Sequence, residues 1–242
     1  MKRILAIDTS SAICSVALET DGTTFVRATE RPREHAGLLL PIISSLFEEA
    51  SCSVADLDFI AVVSGPGSFT GLRIGIGVTQ GLAMAADKPV VLVSSLAALA
   101  ASATRKGARG TILVSLKARE NEMYFAAFHT VDSGVELLGR ERVVDSATWA
   151  LDELLVAGSD CHAVGDGWDA WPDLLETLQS ANVELNLSLT LDIEAVLDLA
   201  RGKAAAGETV VAEKALPNYL KDYMNYTVSR SASGTPRSGP QE

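Results

Sequence analysis

Hydrophobic positions in the first hundred residues follow two different periods. Short runs rich in branched apolar residues predict strands at residues 3–8, 13–20, 23–29, 59–64 and 90–93. Asp21-Gly22 separates the second and third of these runs and predicts a hairpin turn. Helical spacing predicts helices over residues 38–50, 69–86 and 96–104. The pattern therefore predicts the order β-β-β-α-β-α-β-α.

A similar pattern restarts after a basic, glycine-containing hinge at residues 106–110. It predicts strands at 111–116, 122–129 and 135–144, and helices at 146–156 and 193–206. Ile4-Leu5-Ala6-Ile7 and Ile112-Leu113-Val114-Ser115 each precede a polar turn and a second strand. We therefore expect two lobes of related α/β architecture, residues 1–105 and 106–228. The Ser-, Gly- and Pro-rich residues 229–242 are expected to form a disordered tail.

Composition excludes several classes of protein. The chain has 242 residues, is 48% hydrophobic and carries a net charge of −11, which supports a packed core and disfavours stand-alone binding of nucleic acid. The three cysteines have no paired spacing, which excludes a disulfide framework and indicates a reducing, cytoplasmic environment. Residues 89–104 form the longest uncharged stretch, which is too short to span a bilayer, so no membrane association is expected.

A glycine-rich stretch at residues 64–77 lies at a predicted strand–loop–helix junction. It matches neither the Walker A spacing nor the dinucleotide-binding spacing. In one interpretation, its free amides and the helix dipole hold a phosphate or nucleotide. In the other, the glycines permit a tight turn and close helix packing. The candidate residues for either role are Gly65, Gly67, Ser68, Thr70, Gly71 and Arg73.

Asp8 ends the first predicted strand and also allows two interpretations. Its carboxylate either faces a phosphate or metal, or it caps the following turn. His35 has Leu39 one helical turn further on, so it lacks the second histidine of a helical metal-binding pair. No serine stands in a nucleophile elbow. We therefore predict no catalytic residue, no metal and no cofactor.

The two predicted helices at 38–50 and 69–86 lack a continuous polar face. Arg73 is the single charged residue of the second helix. Helices of this kind are either central or covered by another subunit, and the second arrangement is favoured in a small domain. The glycines at 71, 75, 77 and 81 allow close approach of another backbone. The predicted interface residues are Leu39, Ile42, Ile43, Leu46, Ile74, Ile76, Val78 and Leu82.

The sequence resembles the TsaB (YeaZ) family over roughly residues 1–225. The resemblance is carried by Ile4–Ser10, by His35 before a leucine-rich helix and by Gly-Pro-Gly-Ser-Phe-Thr-Gly-Leu-Arg at 65–73. It continues in Ala118-Arg119 and in Leu216-Pro217-x-Tyr219-Leu220. The chain departs from the family at Lys117, where members often have Asp, so a role inferred for that acid does not carry over.

The resemblance implies a two-lobed actin/Hsp70/sugar-kinase-like (RNase H-like) fold. It also implies a non-catalytic subunit that binds and activates TsaD, the paralogue with a metal-binding His-x-x-x-His, in forming N6-threonylcarbamoyladenosine at position 37 of ANN-decoding tRNAs. The implied partners are TsaD, the ATPase TsaE and, when the chain is alone, a second copy competing for the TsaD surface. Contact with tRNA would be indirect.

Two alternatives belong to other functional classes. One is an independent ATPase or phosphotransferase that uses Asp8 and the Gly65–Gly71 loop. The other is a peptidase, which is less well supported because no nucleophile–base or metal arrangement is present.

Overall fold

The structure, a computed structural model, describes residues 2–31, 34–119, 121–145 and 160–220. Two five-stranded mixed sheets form its framework. The first, in the order β3-β2-β1-β4-β5, contains β1 (Ile4–Asp8), β2 (Cys14–Thr20), β3 (Thr23–Thr29), β4 (Phe59–Gly65) and β5 (Val90–Ser94). The second, in the order β10-β9-β6-β7-β8, contains β6 (Thr111–Lys117), β7 (Glu122–Val131), β8 (Gly134–Asp145), β9 (Cys161–Val164) and β10 (Glu184–Asn186).

Both sheets have the same topology. In the first, β1 pairs antiparallel with β2 and parallel with β4. In the second, β6 pairs antiparallel with β7 and parallel with β9. The central strands β1 and β4 are buried along their whole length, as their unbroken apolar runs require. The expected α/β class with two related lobes is confirmed, and it is the actin/Hsp70/sugar-kinase-like architecture.

Five α-helices cover the sheets. They are α1 (His35–Glu49), α2 (Phe69–Ala86), α3 (Ser95–Arg105), α4 (Pro172–Ser180) and α5 (Ile193–Ala205). Helices α1 and α2 pack on one face of the first sheet, where Leu39, Leu46 and Ile76 join Leu5 and Ile7 in one cluster. Among the described residues, no helix is both long and apolar enough to cross a membrane.

Helices α3 and α5 do not follow the boundary expected at residue 105. The sheets do divide there, since β1–β5 precede it and β6–β10 follow it. However, Leu96 and Leu99 of α3 pack into the second sheet, whereas Val196 and Ala200 of α5 pack into the first. The packed cores are therefore interleaved in sequence, and α3 and α5 lie together between the lobes.

The segment after α5 returns to the first lobe. Val210 exchanges both backbone hydrogen bonds with Val90 at 2.8 Å. The amide of Asn218 donates to the carbonyl of Ser64 at 2.8 Å. Residues 210–220, which we call the C-terminal strap, thus lie mostly against β4, β5 and α2, although the expected second lobe included them. Leu220 at the end of the strap packs against the core of the second sheet.

The remaining differences from the predicted elements lie mostly at boundaries. Helix α1 begins at His35 rather than at residue 38, and Pro41 lies within it. The predicted bounds of α2 agree with the structure. Helix α4, β9 and β10 were not predicted, although Leu174, Leu175 and Leu178 have helical spacing. The helix predicted at 146–156 and the tail at 229–242 lie outside the described residues.

Ser102 provides a test of the contact between α3 and α5. Its buried hydroxyl donates to the Ala98 carbonyl at 2.7 Å and accepts from the Asp192 amide at 2.8 Å, where α5 begins. Ser102→Ala leaves that amide without a partner, so we expect the free energy of unfolding to fall by about 1–3 kcal/mol in denaturant titration. Thr104→Ala is the control, because the Thr104 hydroxyl donates to the Ala100 carbonyl of its own helix and does not bridge to α5. An equal loss in both variants would contradict a bridging role for Ser102.

Candidate functional site

A cleft of about 730 Å³ lies between the two lobes. The first lobe lines it with the turn after β1 and the loop before α2, and the second lobe contributes Lys117 and the chain near residues 187–191. Of the candidates for phosphate binding or packing, those that line the cleft are Gly67, Ser68, Thr70 and Gly71. Asp8, Gly65 and Arg73 are not part of this lining. The structure thus brings only part of the predicted set to one place.

Asp8 is buried beneath the turn that follows β1. It is 1% exposed, and its Oδ1 accepts a hydrogen bond from the Ser10 amide at 2.8 Å. Burial raises the pKa of the Asp8 carboxyl, against the opposing effects of the Ser10 hydrogen bonds and of His35. The His35 ring lies beside the same turn, with Nε2 at 3.1 Å from the Ala12 carbonyl. These contacts support the turn-capping interpretation of Asp8.

Three glycines let the loop and the start of α2 lie directly against the turn after β1. A Cβ at Gly67 would lie 2.5 Å from the Ser10 carbonyl oxygen. At Gly71 it would lie 2.0 Å from the Thr9 carbonyl oxygen, and at Gly75 2.4 Å from the Thr9 hydroxyl. No side chain fits at these separations. These glycines therefore have a packing role. Sequence spacing alone did not distinguish this role from phosphate binding.

The same loop uses some of its own hydrogen-bonding groups internally. The Ser68 amide donates to the Ser10 carbonyl at 2.7 Å, and the Gly71 amide donates to the Ser68 hydroxyl at 3.2 Å. The Thr9 hydroxyl donates to the Gly71 carbonyl at 2.7 Å. An anion at the start of α2 would compete with these bonds. Phosphate binding by this loop stays a prediction.

At Gly65, glycine is required by the backbone conformation as well as by a close contact. Its φ is +116°, a conformation that side chains rarely adopt. A Cβ there would also lie 3.1 Å from the Asn218 carbonyl oxygen of the C-terminal strap. Gly65 thus lets the strap pass close over the end of β4.

The predicted interface residues on α1 and α2 divide into two groups. Four of them are core residues that the sheet already covers, namely Leu39, Ile43, Leu46 and Ile76. The interface expectation is corrected for these four, because a buried side chain has no area left for a second protein. The other four are half-buried at the surface, namely Ile42, Ile74, Val78 and Leu82.

The outer surface of α1 and α2 contains apolar side chains and open glycines. Leu40 is 52% exposed and Met84 is 61% exposed. A Cβ at Gly77 or Gly81 would have no heavy atom within 4 Å, unlike the glycines at 71 and 75. Leu40 and Phe47 of α1, the loop at residues 51–56 and Leu82 of α2 line a groove of about 750 Å³. We call this surface the α1–α2 face.

A cluster that sequence reasoning missed lies at the N-terminal end of α2. The Arg73 guanidinium stacks on the Phe69 ring, 3.7 Å from its centroid, and Nε donates to the Tyr219 hydroxyl at 3.1 Å. The Phe69 and Tyr219 rings lie 5.9 Å apart. The motif that contains Tyr219 was recognised in the sequence. The contact between Tyr219 and Arg73, which are 146 positions apart, was not predicted.

Metal binding finds no support in the described part of the chain. Within it, no group of three or more His, Cys, Asp or Glu side chains comes together in a way that could hold a metal ion. Of the three cysteines, Cys14 lies in the first core, where burial raises the pKa of its thiol to about 11. At such a pKa the thiol stays protonated near neutral pH.

Sequence comparison gives clear relatives. Residues 28–163 match the family described as "TsaD: tRNA N6-adenosine threonylcarbamoyltransferase". The chain is 36% identical over 224 residues to the Escherichia coli tRNA threonylcarbamoyladenosine biosynthesis protein TsaB, covering 91% of this chain and 95% of that protein. It is 31% identical over 231 residues to the Haemophilus influenzae protein of the same name, covering 92% of this chain and 95% of that protein.

Structural comparison agrees with the sequence. The fold is similar to that of YeaZ from Pseudomonas aeruginosa, with a TM-score of 0.82 and 38% sequence identity. The similarity covers 91% of this chain and 100% of the YeaZ chain. The likeness therefore extends over both lobes and is not confined to a single motif.

Alanine substitutions at Gly71 and at Gly77 in α2 should change the free energy of unfolding in opposite directions. Gly71→Ala places a methyl group against the Thr9 carbonyl oxygen, so we expect unfolding to become easier by about 1–3 kcal/mol. Gly77→Ala enters open space and should raise stability by roughly 0.5–1 kcal/mol through helix propensity. Urea titration monitored by circular dichroism measures both. Equal and small changes would show that Gly71 has no packing role.

Asp8 should make stability depend on pH. Because its pKa is raised in the fold, ionisation of Asp8 opposes folding above that pKa, and this penalty is absent below the pKa of the unfolded chain. Asp8→Asn keeps an oxygen acceptor for the Ser10 amide. We expect it to raise the melting temperature at about pH 8, with a gain that shrinks as the pH falls towards about 4.

The control is Asp56, whose pKa is lowered by hydrogen bonds from Ser53. Its ionised form favours folding, so Asp56→Asn should lower the melting temperature at about pH 8 and have less effect in acid. A gain for Asp8→Asn that stays constant across this range would refute the assignment.

Proposed function

Because the chain belongs to the TsaB family of tRNA threonylcarbamoyladenosine biosynthesis proteins, we propose that it is a non-catalytic subunit that binds and activates a TsaD-type partner. The observation that carries this proposal is the α1–α2 face, where apolar side chains and open glycines remain uncovered by the chain itself. A partner helix lying there would bury Leu40, Val78 and Met84, and the absence of side chains at Gly77 and Gly81 would let it approach closely.

The close contact between the loop before α2 and the turn after β1 supports a non-catalytic role. In this chain the turn after β1 occupies the space in front of Gly67 and Gly71, and Asp8 is bonded beneath that turn. Transfer of a threonylcarbamoyl group needs a reactive centre that positions and activates its substrates. We propose that the partner supplies this centre and that the present chain holds it in an active arrangement.

The charge of the chain supports indirect contact with tRNA. At −11, its overall charge repels a phosphate backbone, and productive docking of RNA needs a basic surface. We propose that the tRNA contacts other subunits, that the ATPase TsaE joins the same complex, and that the complex works in the cytoplasm. In the absence of the partner, a second copy of the chain would occupy the same α1–α2 face.

Reconstitution tests the function directly. We expect purified TsaD and TsaE with threonylcarbamoyl-adenylate and tRNA to modify the tRNA much faster when this chain is added. The isolated chain with Mg²⁺ and ATP should show no enzyme-like turnover. Modification that proceeds equally well without the chain, or metal-dependent ATP turnover abolished by Asp8→Ala, would overturn the proposal.

A substitution at Val78 tests whether the α1–α2 face binds the partner. Val78→Glu places a charge at the middle of the α1–α2 face, where a bound partner would desolvate it. We expect affinity for TsaD to fall at least about tenfold, measured by calorimetry, while circular dichroism and melting temperature stay close to those of the unaltered chain. The control is Val131→Glu, a substitution at a partly exposed residue of β7 in the other lobe. Retained TsaD binding by a folded Val78→Glu variant would exclude this face.

A further inference from the structure

The cleft between the two lobes has mainly apolar walls. Leu99, Leu116 and Leu189 line it from the side of the second lobe, and Pro66 and Ile74 line it from the first. Its volume of about 730 Å³ lies in the range of cavities that enclose a ligand or a few side chains. A segment with apolar side chains lying there would remove these walls from water.

Ser95 adds a polar requirement to the same cleft. It lines the cleft and is only 3% exposed. Among the residues that the structure describes, the Ser95 hydroxyl has no hydrogen-bond partner. Most buried polar side chains are hydrogen-bonded, so this hydroxyl indicates a polar partner from outside the described residues.

The C-terminal strap runs towards this cleft. It begins beside Val90, at the start of β5, and its Asn218 amide reaches the carbonyl of Ser64, near the end of β4. The loop that follows β4 supplies Pro66 to the cleft lining. Strands β4 and β5 are parallel, so the strap passes along the sheet towards the carboxyl ends of these strands, where the cleft lies.

Leu220 brings the chain to the wall of the cleft. It packs against the core cluster of the second sheet that contains Leu99 and Leu189, and both of these leucines line the cleft. The preceding residue, Tyr219, still contacts Arg73 of α2 in the first lobe. The chain therefore passes from one lobe to the other at residues 219–220, beside the cleft.

The eight residues that follow Leu220 differ in composition from the rest of the C-terminus. Residues 221–228 read Lys-Asp-Tyr-Met-Asn-Tyr-Thr-Val and contain four large apolar or aromatic side chains. Residues 229–242 contain no large apolar side chain. Burial in an apolar cleft is therefore favourable for the first group and offers nothing to the second.

We propose that residues 221–228 continue the C-terminal strap into the cleft between the lobes and occupy it. Their apolar side chains lie against the leucine-rich walls, and a tyrosine hydroxyl or a backbone group supplies the hydrogen bond that Ser95 lacks. Eight extended residues span up to about 26 Å, and the first of them starts at the cleft wall. The C-terminus of the chain thereby closes its own cleft to other ligands.

This inference goes beyond the proposed function, because it concerns the cleft and not the α1–α2 face. Reconstitution with TsaD can succeed whether or not the segment occupies the cleft. The failure of one is therefore distinguishable from the failure of the other.

Hydrogen exchange in the full chain tests whether these side chains cover the cleft. The variant is Tyr223→Ser/Met224→Ser/Tyr226→Ser. We expect the backbone amides of residues 10–12 and 187–191, which line the cleft, to exchange roughly tenfold faster in this variant than in the unaltered chain.

The matched control is Val211→Ser/Leu216→Ser. It removes two exposed apolar side chains that lie earlier in the same strap, and it should leave exchange at the cleft unchanged. Circular dichroism should show that both variants stay folded. Equal exchange at the cleft in the unaltered chain and in the triple variant would contradict the inference.

Disulfide coupling tests proximity in the full chain, with both half-buried cysteines changed to serine. Ser188→Cys places a thiol at an exposed residue of the cleft lining. The second thiol is placed in turn by Asp222→Cys, Asn225→Cys or Thr227→Cys. We expect at least one pair to form a disulfide within the chain about tenfold faster than the same partner does with Ser133→Cys, because a segment held in the cleft has a higher effective concentration there.

Ser133 is a suitable reference because it is exposed between β7 and β8 and lies beside Arg105, at the end of α3 opposite to Ser95. Coupling to Ser188→Cys that is no faster than coupling to Ser133→Cys would overturn the inference. A disulfide that links two chains instead of closing within one would assign the cleft to a second copy. Protection of residues 10–12 and 187–191 by ADP with Mg²⁺ in the unaltered chain would assign it to a nucleotide, and either result would also overturn the inference.

Discussion

The contact between the turn after β1 and the first half of α2 determines how the rest of the first lobe is arranged. Thr9 and Ser10 occupy the space that side chains at Gly67, Gly71 and Gly75 would need. The helix can therefore lie directly on the end of β1, and the Thr9 hydroxyl is bonded to the carbonyl of Gly71. This fit fixes the rotation of α2 about its axis. It follows that Gly77, Gly81 and Met84 face away from the sheet.

Local sequence patterns predicted all five strands of the first sheet, β6, β7 and β8 of the second, and the bounds of α2, because two-residue and helical periods are local properties of the chain. They could not predict which glycines of α2 pack internally. The pairs Gly71/Gly75 and Gly77/Gly81 have identical spacing, and only their neighbours in space distinguish them. Four predicted interface residues proved to be core for a related reason. A helix that is apolar all round gives no indication of which side faces the sheet.

Contacts between distant segments were beyond a single sequence. Helix α3 packs into the core of the second sheet and α5 into that of the first, which depends on how the faces of the two sheets are covered. Neither helix has a sequence pattern that indicates which sheet it contacts. The C-terminal strap is similar, since Asn218 and Tyr219 reach β4 and α2 through bonds that span more than a hundred residues. The sequence indicated that Arg73 belongs to the glycine-rich motif at residues 65–73, but not that Phe69 and Tyr219 hold its side chain in place.

The two pairs of glycines in α2 give the helix different properties on its two sides. A glycine inside a helix costs roughly 1 kcal/mol relative to alanine. At Gly71 and Gly75 this cost is offset by contacts within the lobe, which a side chain would prevent. At Gly77 and Gly81 nothing within the described chain offsets it. The chain is therefore less stable alone than its fold allows, and the partner helix proposed to bind at these glycines would stabilise it by mass action. Under the proposed function, association and stability would be coupled through the same face.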